Sequence, residues 1–451
     1  MRIHFIGIGG IGISALAQYY LSKGNKVTGS DLSSSEIITV LKKKGVKIFS
    51  NHKPSNIFFK NKLPDLAIYS SAIPRENPEL KEVKKFKIKT KSYSQALGDL
   101  TKEYFTIAVS GTHGKSTTTA LIALTLIKAK LNPTVIIGTK LKEFNNSNFR
   151  KGGVNCLTKK PILVIEADEY KSAFLNYNPE IIVLTSIERE HLDYFRNLKN
   201  ILRIYKKYIN KLPQDGLLIA NKDDKYIEKI LKKKKPSSFL VLKYSLIQKE
   251  VKKLKEILKI PGKHNISNAL AVLTLARFFK IPDKISFQTF SDYKGAWRRF
   301  EIIPVKIGIR KYILINDYAH HPTEIKATLE AVREKFKKRR IILIYQPHQY
   351  QRTKILFKDF IESFDDADYL ILNEIYEVQG RETKKDISSN DLKKAIEKRW
   401  KKLSYNNKVV RFIKEQDNIL KELPKILKKD DILIIMGAGD IYNLSLKLKT
   451  Y

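Results

Sequence analysis

The chain has 451 residues and one cysteine, Cys156, which at ~150 residues per domain suggests about three domains that can each bury a core. A single cysteine excludes an internal disulfide framework and fits a reducing compartment, and the lack of any long apolar run excludes a membrane span. With 86 Lys+Arg against 46 Asp+Glu the formal net charge is +40, but lysines stand in almost every polar stretch (42–44, 232–235, 337–340) rather than in one basic-aromatic module, so the expected partners include neither nucleic acid nor membrane, and the charge serves at most to attract anionic nucleotides.

In chain order, strands alternate with helical patterns almost throughout, which predicts an α/β chain with parallel sheets. The reading is a Rossmann-like N-terminal domain (1–103), a central P-loop ATPase domain (104–299) and a C-terminal Rossmann-like α/β domain (300–451). The first strands are expected over 2–8, 26–29 and 66–69. Met1-Arg2 and Ser14-Ala15-Leu16-Ala17 loosely imitate a secretion signal, yet Gly7, Gly9, Gly10 and Gly12 break the apolar stretch and a second strand follows, so a cytoplasmic location is expected. Gly7-Ile8-Gly9-Gly10-Ile11-Gly12 fits G-x-G-x-x-G between strand and helix, with Asp31 after the second strand where a ribose-binding acid belongs. The same physics holds any diphosphate, so a nicotinamide-dependent dehydrogenase and a sugar-nucleotide site both remain open here. A polar stretch around 77–93 leads on to the next strand.

That strand, 105–109, runs into Ser110-Gly111-Thr112-His113-Gly114-Lys115-Ser116-Thr117, followed by an apolar helical pattern. Strand, glycine loop, Lys-Ser and helix form a triphosphate cradle: Gly111 and Gly114 admit phosphate oxygens close to the backbone, the helix N-terminus offers N–H groups, Lys115 reaches the outer phosphates and Ser116 can ligate Mg²⁺. Val109 stands where G-x-x-x-x-G-K-[ST] has its first glycine. Further strands are expected at 135–137, 162–165, 181–185, 217–220 and 239–242. Glu166-Ala167-Asp168-Glu169 ends one of them and reads as a Mg²⁺ platform; Glu188-Arg189-Glu190-His191 follows another, with His191 either a metal ligand or a core histidine. Asn265 and Asn268, one turn apart at a helix start, either hold an adenine ring or cap the helix. The last series of strands is expected at 312–316, 340–344, 369–372 and 432–436.

Together the motifs G-x-G-G-x-G, G-T-H-G-K-S-T, E-A-D-E, E-x-E-H-x-D, H-N-x-x-N-A and R-R-F resemble the Mur ligases, ATP-dependent amide-forming enzymes of peptidoglycan precursor synthesis, over essentially the whole chain. Asp317-Tyr318-Ala319-His320-His321-Pro322-Thr323-Glu324, Gln346-Pro347-His348 and Arg352-Thr353 are similar to the motifs of the member that joins L-alanine to UDP-N-acetylmuramate. The resemblance implies a UDP-sugar domain, an ATP domain and an amino-acid domain, with the muramoyl carboxylate phosphorylated by ATP and the resulting acyl phosphate attacked by the amine. It implies Gly9, Gly10, Ile11, Gly12, Asp31, Ser70, Ser71, Ala72 and Ile73 at the uridine diphosphate. Gly111, Thr112, His113, Gly114, Lys115, Ser116, Thr117, Asn265, Asn268, Arg299 and Asp317 fall at ATP. Ser116, Glu166 and His191 fall at Mg²⁺ with Glu169 nearby, and Tyr318, His320, His348 and Arg352 at the amino acid. A monomer or weak homodimer is expected. Three departures stand out: Gln349 replaces the family's first arginine after Q-P-H, Asn316 replaces the first aspartate before the tyrosine, and the carbamylated lysine of several sister ligases falls near Tyr205 or Lys206, neither of which is assigned. A murein-tripeptide-adding ligase is the alternative within the family. A dehydrogenase or a nucleic-acid-binding ATPase leaves the His320-His321-Pro322 and Pro347-His348 motifs unexplained.

Overall fold

The computed structural model describes residues 1–59, 61–232, 239–378 and 385–449; the lysine run at 232–235 lies, past Lys232, outside them. The chain forms two compact bodies. One holds Met1–Glu190, Tyr194–Leu254 and Ser267–Ser291; the other holds His191–Asp193, Lys255–Ile266 and the chain from Asp292 onward.

The first body contains two sheets. The N-terminal sheet has five parallel strands in the order Lys47–Phe49, Lys26–Ser30, Arg2–Ile6, Leu66–Tyr69, Thr90–Ser92. The central sheet has seven, in the order Leu240–Tyr244, Leu217–Asn221, Ile181–Leu184, Phe105–Ser110, Ile162–Ala167, Thr134–Leu141, Ser147–Arg150, with only the last pair antiparallel. The second body contains one six-stranded sheet, Glu301–Ile307, Arg310–Asp317, Ile432–Met436, Ile341–Tyr345, Tyr369–Leu372, Val409–Phe412, parallel except for its first pair. The inner strands are apolar runs such as Ile341-Ile342-Leu343-Ile344-Tyr345, buried at every position, as strands covered by helices on both faces must be.

Strand order decides where ligands fit. Arg2–Ile6 and Phe105–Ser110 each lie between neighbours that follow them in opposite directions across the sheet. The crevice at the carboxyl end of such a strand is where open α/β sheets bind ligands. Both glycine loops start there. The expected first strand stops at Ile6 rather than residue 8 because Gly7 turns the chain at φ +78°. The polar stretch at 77–93 contains a helix, Pro78–Lys85, and a three-residue edge strand.

Candidate active site

In the N-terminal sheet the glycine loop, Asp31 and Ser70–Ile73 come together. The N–H groups of Gly7 and Ile8 donate to the Ser30 carbonyl at 2.8 and 3.0 Å. The Gly9 N–H donates to Asp31 Oδ2 at 2.7 Å, and Asp31 Oδ1 accepts from the N–H and hydroxyl of Ser33. Both oxygens of Asp31 are therefore engaged in shaping the loop. A Cβ on Gly7 would lie 3.1 Å from Ser70 and from Ile73, so the second loop closes directly on the first. Gly10 caps the helix Ile11–Ser22, which begins with Ile11 and Gly12. The Ala72 N–H donates to Ser70 Oγ, and Lys171 reaches the Ser71 carbonyl from the central domain.

The central loop is packed tightly against its neighbours. Gly111 has φ +138°, and a Cβ there would fall 2.1 Å from Thr185 Oγ1; Gly114 has φ +81°, and its Cβ would fall 2.5 Å from Asn268 Oδ1. Gly114 is the N-cap of the helix Lys115–Lys128, whose first turn carries buried Ser116 and Thr117. The Thr112 N–H donates to the Ser186 carbonyl, the His113 N–H to Ser186 Oγ, and the Glu188 N–H to Thr112 Oγ1. His113 Nε2 stands 3.4 Å from Glu188. Lys115 Nζ donates to the Gly111 carbonyl at 2.5 Å and to Glu169 Oε2 at 3.0 Å. Burial alone would lower its pKa, but Glu169, Asp168 and Glu166 reverse this and hold the ammonium charged well above its ordinary value. Glu166 accepts the Gly138 N–H at 2.8 Å. Tyr93, from the N-terminal domain, has its hydroxyl 2.9 Å from where a Cβ on Gly12 would lie, and burial together with Glu166 and Asp168 raises its pKa. Tyr205 is fully buried and packs edge-on against Phe174. His191 follows the strand Ile181–Leu184 in the left-handed backbone region at φ +53° and belongs to the second body. Asn265 is buried, also in the second body, and donates to the Pro261 carbonyl at 2.7 Å.

In the second body the tip of the strand Arg310–Asp317 carries Asp317, which accepts the Ala319 N–H on Oδ1 and the Phe300 N–H on Oδ2, both at 2.8 Å. Burial pushes it up to about 6 against the pull of Arg299 and these two N–H groups. Asn316, pointing to the other face as alternation requires, donates to Ser445 Oγ. Arg299 and Arg298 both lie over the Tyr318 ring, at 4.8 and 4.7 Å. Arg298 also donates to the Gly437 and Gly439 carbonyls. His320 Nδ1 lies 3.0 Å from the Tyr318 carbonyl and its ring meets His348 edge-on; His348 stacks on Tyr376. Arg352 Nη1 bonds His348 Nδ1 and donates to the His348 carbonyl, both at 3.0 Å.

The glycine loop with Asp31 and Ser70 to Ile73, the loop 111–117 with Glu169 and Asn268, and Tyr318 with Arg299, His320, His348 and Arg352 each form a cluster. The residues expected at ATP and Mg²⁺, by contrast, are divided between the two bodies, with His191, Asn265, Arg299 and Asp317 in the second. Sequence reasoning quoted Glu188 and Arg298 within motifs but assigned them no role, and it did not single out Tyr93 or Tyr376. Glu188 at a strand end beside the glycine loop was findable; Tyr93 and Tyr376 reach their sites only through the fold.

Two glycine cradles at sheet switch points and a basic-aromatic cluster beyond the carboxyl ends of the strands Arg310–Asp317 and Ile341–Tyr345 define an α/β nucleotide-using enzyme. Residues 2–105 match the Mur ligase family catalytic domain, 109–276 the Mur ligase middle domain and 298–439 the Mur ligase glutamate ligase domain. The chain belongs to the Mur ligase family. It is 37% identical to a UDP-N-acetylmuramate–L-alanine ligase of Clostridium botulinum (strain Okra / Type B1), covering 98% of this chain and 96% of that one. It is 36% identical to the protein of the same name from Caldanaerobacter subterraneus, covering 99% and 96%. Among solved structures it is similar to the UDP-N-acetylmuramate–alanine ligase of Thermotoga maritima, with TM-score 0.77, 26% identity and 99% and 98% coverage. It shares the fold of a murein peptide ligase from Psychrobacter arcticus, with TM-score 0.72, 24% identity and 100% and 98% coverage.

Proposed function

We propose that this chain is an ATP-dependent ligase that joins L-alanine to the muramoyl carboxylate of UDP-N-acetylmuramate in peptidoglycan precursor synthesis. The observation that carries the reading is likeness over nearly the full length of both chains to proteins of that name, and the cradle geometry supports it. A side chain at Gly111 would collide with Thr185 and Ser186, and one at Gly114 with Asn268, so only glycine lets the loop take this tight path at the helix N-terminus, the arrangement that suits phosphate.

In this reading the sugar nucleotide's diphosphate lies against the loop Gly9 to Gly12, met by the N–H groups that follow Gly9, with Ser70 to Ile73 at its edge. Lys115 transfers its attraction from Glu169 to the β- and γ-phosphates, and Thr112, His113, Ser116 and Thr117 line the loop around them. Asn268, against Gly114, is placed for the nucleotide, as are Asn265, Arg299 and Asp317 by resemblance. Ser116 and Glu166, with hard oxygen donors, fit Mg²⁺, which when bound neutralises phosphate charge; His191 is assigned there by resemblance alone. Arg352, fixed by His348, offers its guanidinium to the amino-acid carboxylate, with Tyr318 and His320 beside it. The muramoyl carboxylate oxygen takes the γ-phosphoryl group as ADP leaves, and the amine then attacks the acyl carbon, losing a proton as inorganic phosphate leaves; the protein's part is positioning and charge stabilisation. We propose domain limits of 1–103, 104–299 and 300–451, a cytoplasmic location and a monomer or weak homodimer.

ADP release with UDP-N-acetylmuramate, measured across a panel of amino acids and the murein tripeptide, tests the reading. Turnover with L-alanine is expected. Preference for the tripeptide would make the chain a recycling ligase, and turnover with nicotinamide cofactors instead would overturn the ligase reading.

A further inference from the structure

Under the N-terminal glycine loop lies a buried ionisable cluster to which no step of the proposed reaction assigns a role. Glu79, fully buried in the first turn of the helix Pro78–Lys85, is met by four polar side chains on one carboxylate. His4 Nε2 lies 3.0 Å and Ser30 Oγ 2.6 Å from Oε2, while His52 Nδ1 lies 3.2 Å and Asn56 Nδ2 2.7 Å from Oε1. His4 is itself fully buried on the central strand, its Nδ1 2.8 Å from Thr28 Oγ1, and His52 Nδ1 also stands 3.0 Å from Ser30 Oγ. Asn77 caps the helix by accepting the N–H groups of Glu79 and Leu80. Burying a carboxylate this deeply is costly unless every lone pair is met, and here each oxygen has one directed donor, Ser30 Oγ or Asn56 Nδ2, and one histidine ring nitrogen beside it.

The cluster meets the N-terminal glycine loop at one residue. Ser30 gives its hydroxyl to Glu79 and its carbonyl to the N–H groups of both Gly7 and Ile8. The next residue, Asp31, takes the Gly9 N–H. The Glu79 carboxylate therefore fixes the strand end from which three consecutive loop N–H groups are held. We propose that Glu79, through Ser30, is a positioning residue for sugar-nucleotide binding: it sets the glycine loop so that the remaining N–H groups face the diphosphate. This rests on the reading that the loop binds the sugar nucleotide. Burial alone would raise the Glu79 carboxyl, but the hydrogen bonds with His4, His52 and Ser30 overcome it and hold the group at about 2, so Glu79 itself stays ionised at neutral pH.

The test is steady-state kinetics of the full chain with Ser30→Ala, Glu79→Gln and Gly9→Ala, with thermal midpoints recorded for each. Gly9→Ala places a Cβ about 2.9 Å from Asp31 Oδ2 and reports whether the loop is the sugar-nucleotide site. Ser30→Ala removes the link while leaving the carbonyl in place, and is expected to raise the KM for UDP-N-acetylmuramate about five- to tenfold with kcat and the KM for ATP within twofold. Glu79→Gln, which sets an amide NH₂ against donors, is expected to raise it further; if that variant does not fold, Ser30→Ala decides alone. An unchanged sugar-nucleotide KM in Ser30→Ala, or an equal rise in the KM for ATP, overturns the proposal while a raised KM in Gly9→Ala leaves the loop reading standing. An unchanged KM in Gly9→Ala overturns the loop reading itself.

Discussion

Lys115 is held by the same carboxylate that shapes its surroundings, Glu169 at 3.0 Å. Removing the ammonium takes the fixed counter-charge from the phosphates and from Glu169 at once. Lys115→Ala is expected to lower ADP release at least about 100-fold; near-wild-type release would remove the loop from the mechanism. Gln349 presents a different case. Its backbone is pinned on both sides at φ +73°, its N–H donating to the Tyr376 carbonyl and its own carbonyl accepting from Thr353. Gln349→Arg therefore changes a side chain and not the loop. If an arginine here pairs the amino-acid carboxylate, as the family resemblance implies, the variant should lower the KM for L-alanine about 10- to 100-fold with the KM for ATP nearly unchanged. A raised KM would mean a differently built pocket. Asp317 sets a pH dependence. Its carboxyl is raised by burial to about 6, so the folded chain binds that proton more tightly than the unfolded one. The resulting stability, about 3 kcal/mol, is present at acid pH and is lost as pH rises through about 6. Thermal midpoints of wild type and Asp317→Asn at acid and mildly alkaline pH should show a smaller fall for the variant; parallel curves would mean that Asp317 ionises at its ordinary value.

The helix Tyr93–Glu103 joins the N-terminal domain to the central one through a glycine. A Cβ on Gly98 would lie 2.4 Å from the Asn176 carbonyl oxygen. Alanine normally favours a helix over glycine by about 1 kcal/mol, but here the neighbour is backbone and cannot swing aside. Gly98→Ala should destabilise the protein by roughly 1–3 kcal/mol, seen as a lower thermal midpoint; a rise would show that the 170–176 segment yields. At this scale the sequence was legible where burial is two-sided. Most inner strands stand out as apolar runs, with Lys26–Ser30 (Lys-Val-Thr-Gly-Ser) the exception in the N-terminal sheet. The five strands that reading missed, Lys47–Phe49, Thr90–Ser92, Ser147–Arg150, Glu301–Ile307 and Val409–Phe412, are all edges. Edge strands are short or charged because a long apolar edge would pair with other chains. The two glycine loops were legible because phosphate binding needs contiguous backbone N–H groups, which a local motif encodes. The Glu79 cluster was not, because His4 and Glu79 are 75 residues apart and meet only once the sheet is built.

At the scale of the whole molecule, two of the three family segments lie wholly or mainly in the first body, and the segment 298–439 lies in the second. No helix among the described residues is long and apolar enough to cross a membrane. The remaining global property is charge. At +40 the surface potential concentrates anions over a distance set by ionic strength, about 10 Å at 0.1 M salt. ATP and UDP-N-acetylmuramate are polyanions, whereas L-alanine is a zwitterion of no net charge, so the substrates themselves separate a long-range field from local contacts. Raising salt from about 50 to about 300 mM should increase the KM for both nucleotides several-fold and leave that for L-alanine nearly constant. If all three constants stay level, the local fields at the sites are balanced by carboxylates such as Glu166, Asp168 and Glu169, and the excess lysine serves the solvated surface alone. If turnover instead responds to added nucleic acid, the basic surface has a macromolecular partner and the expectation that it has none is wrong.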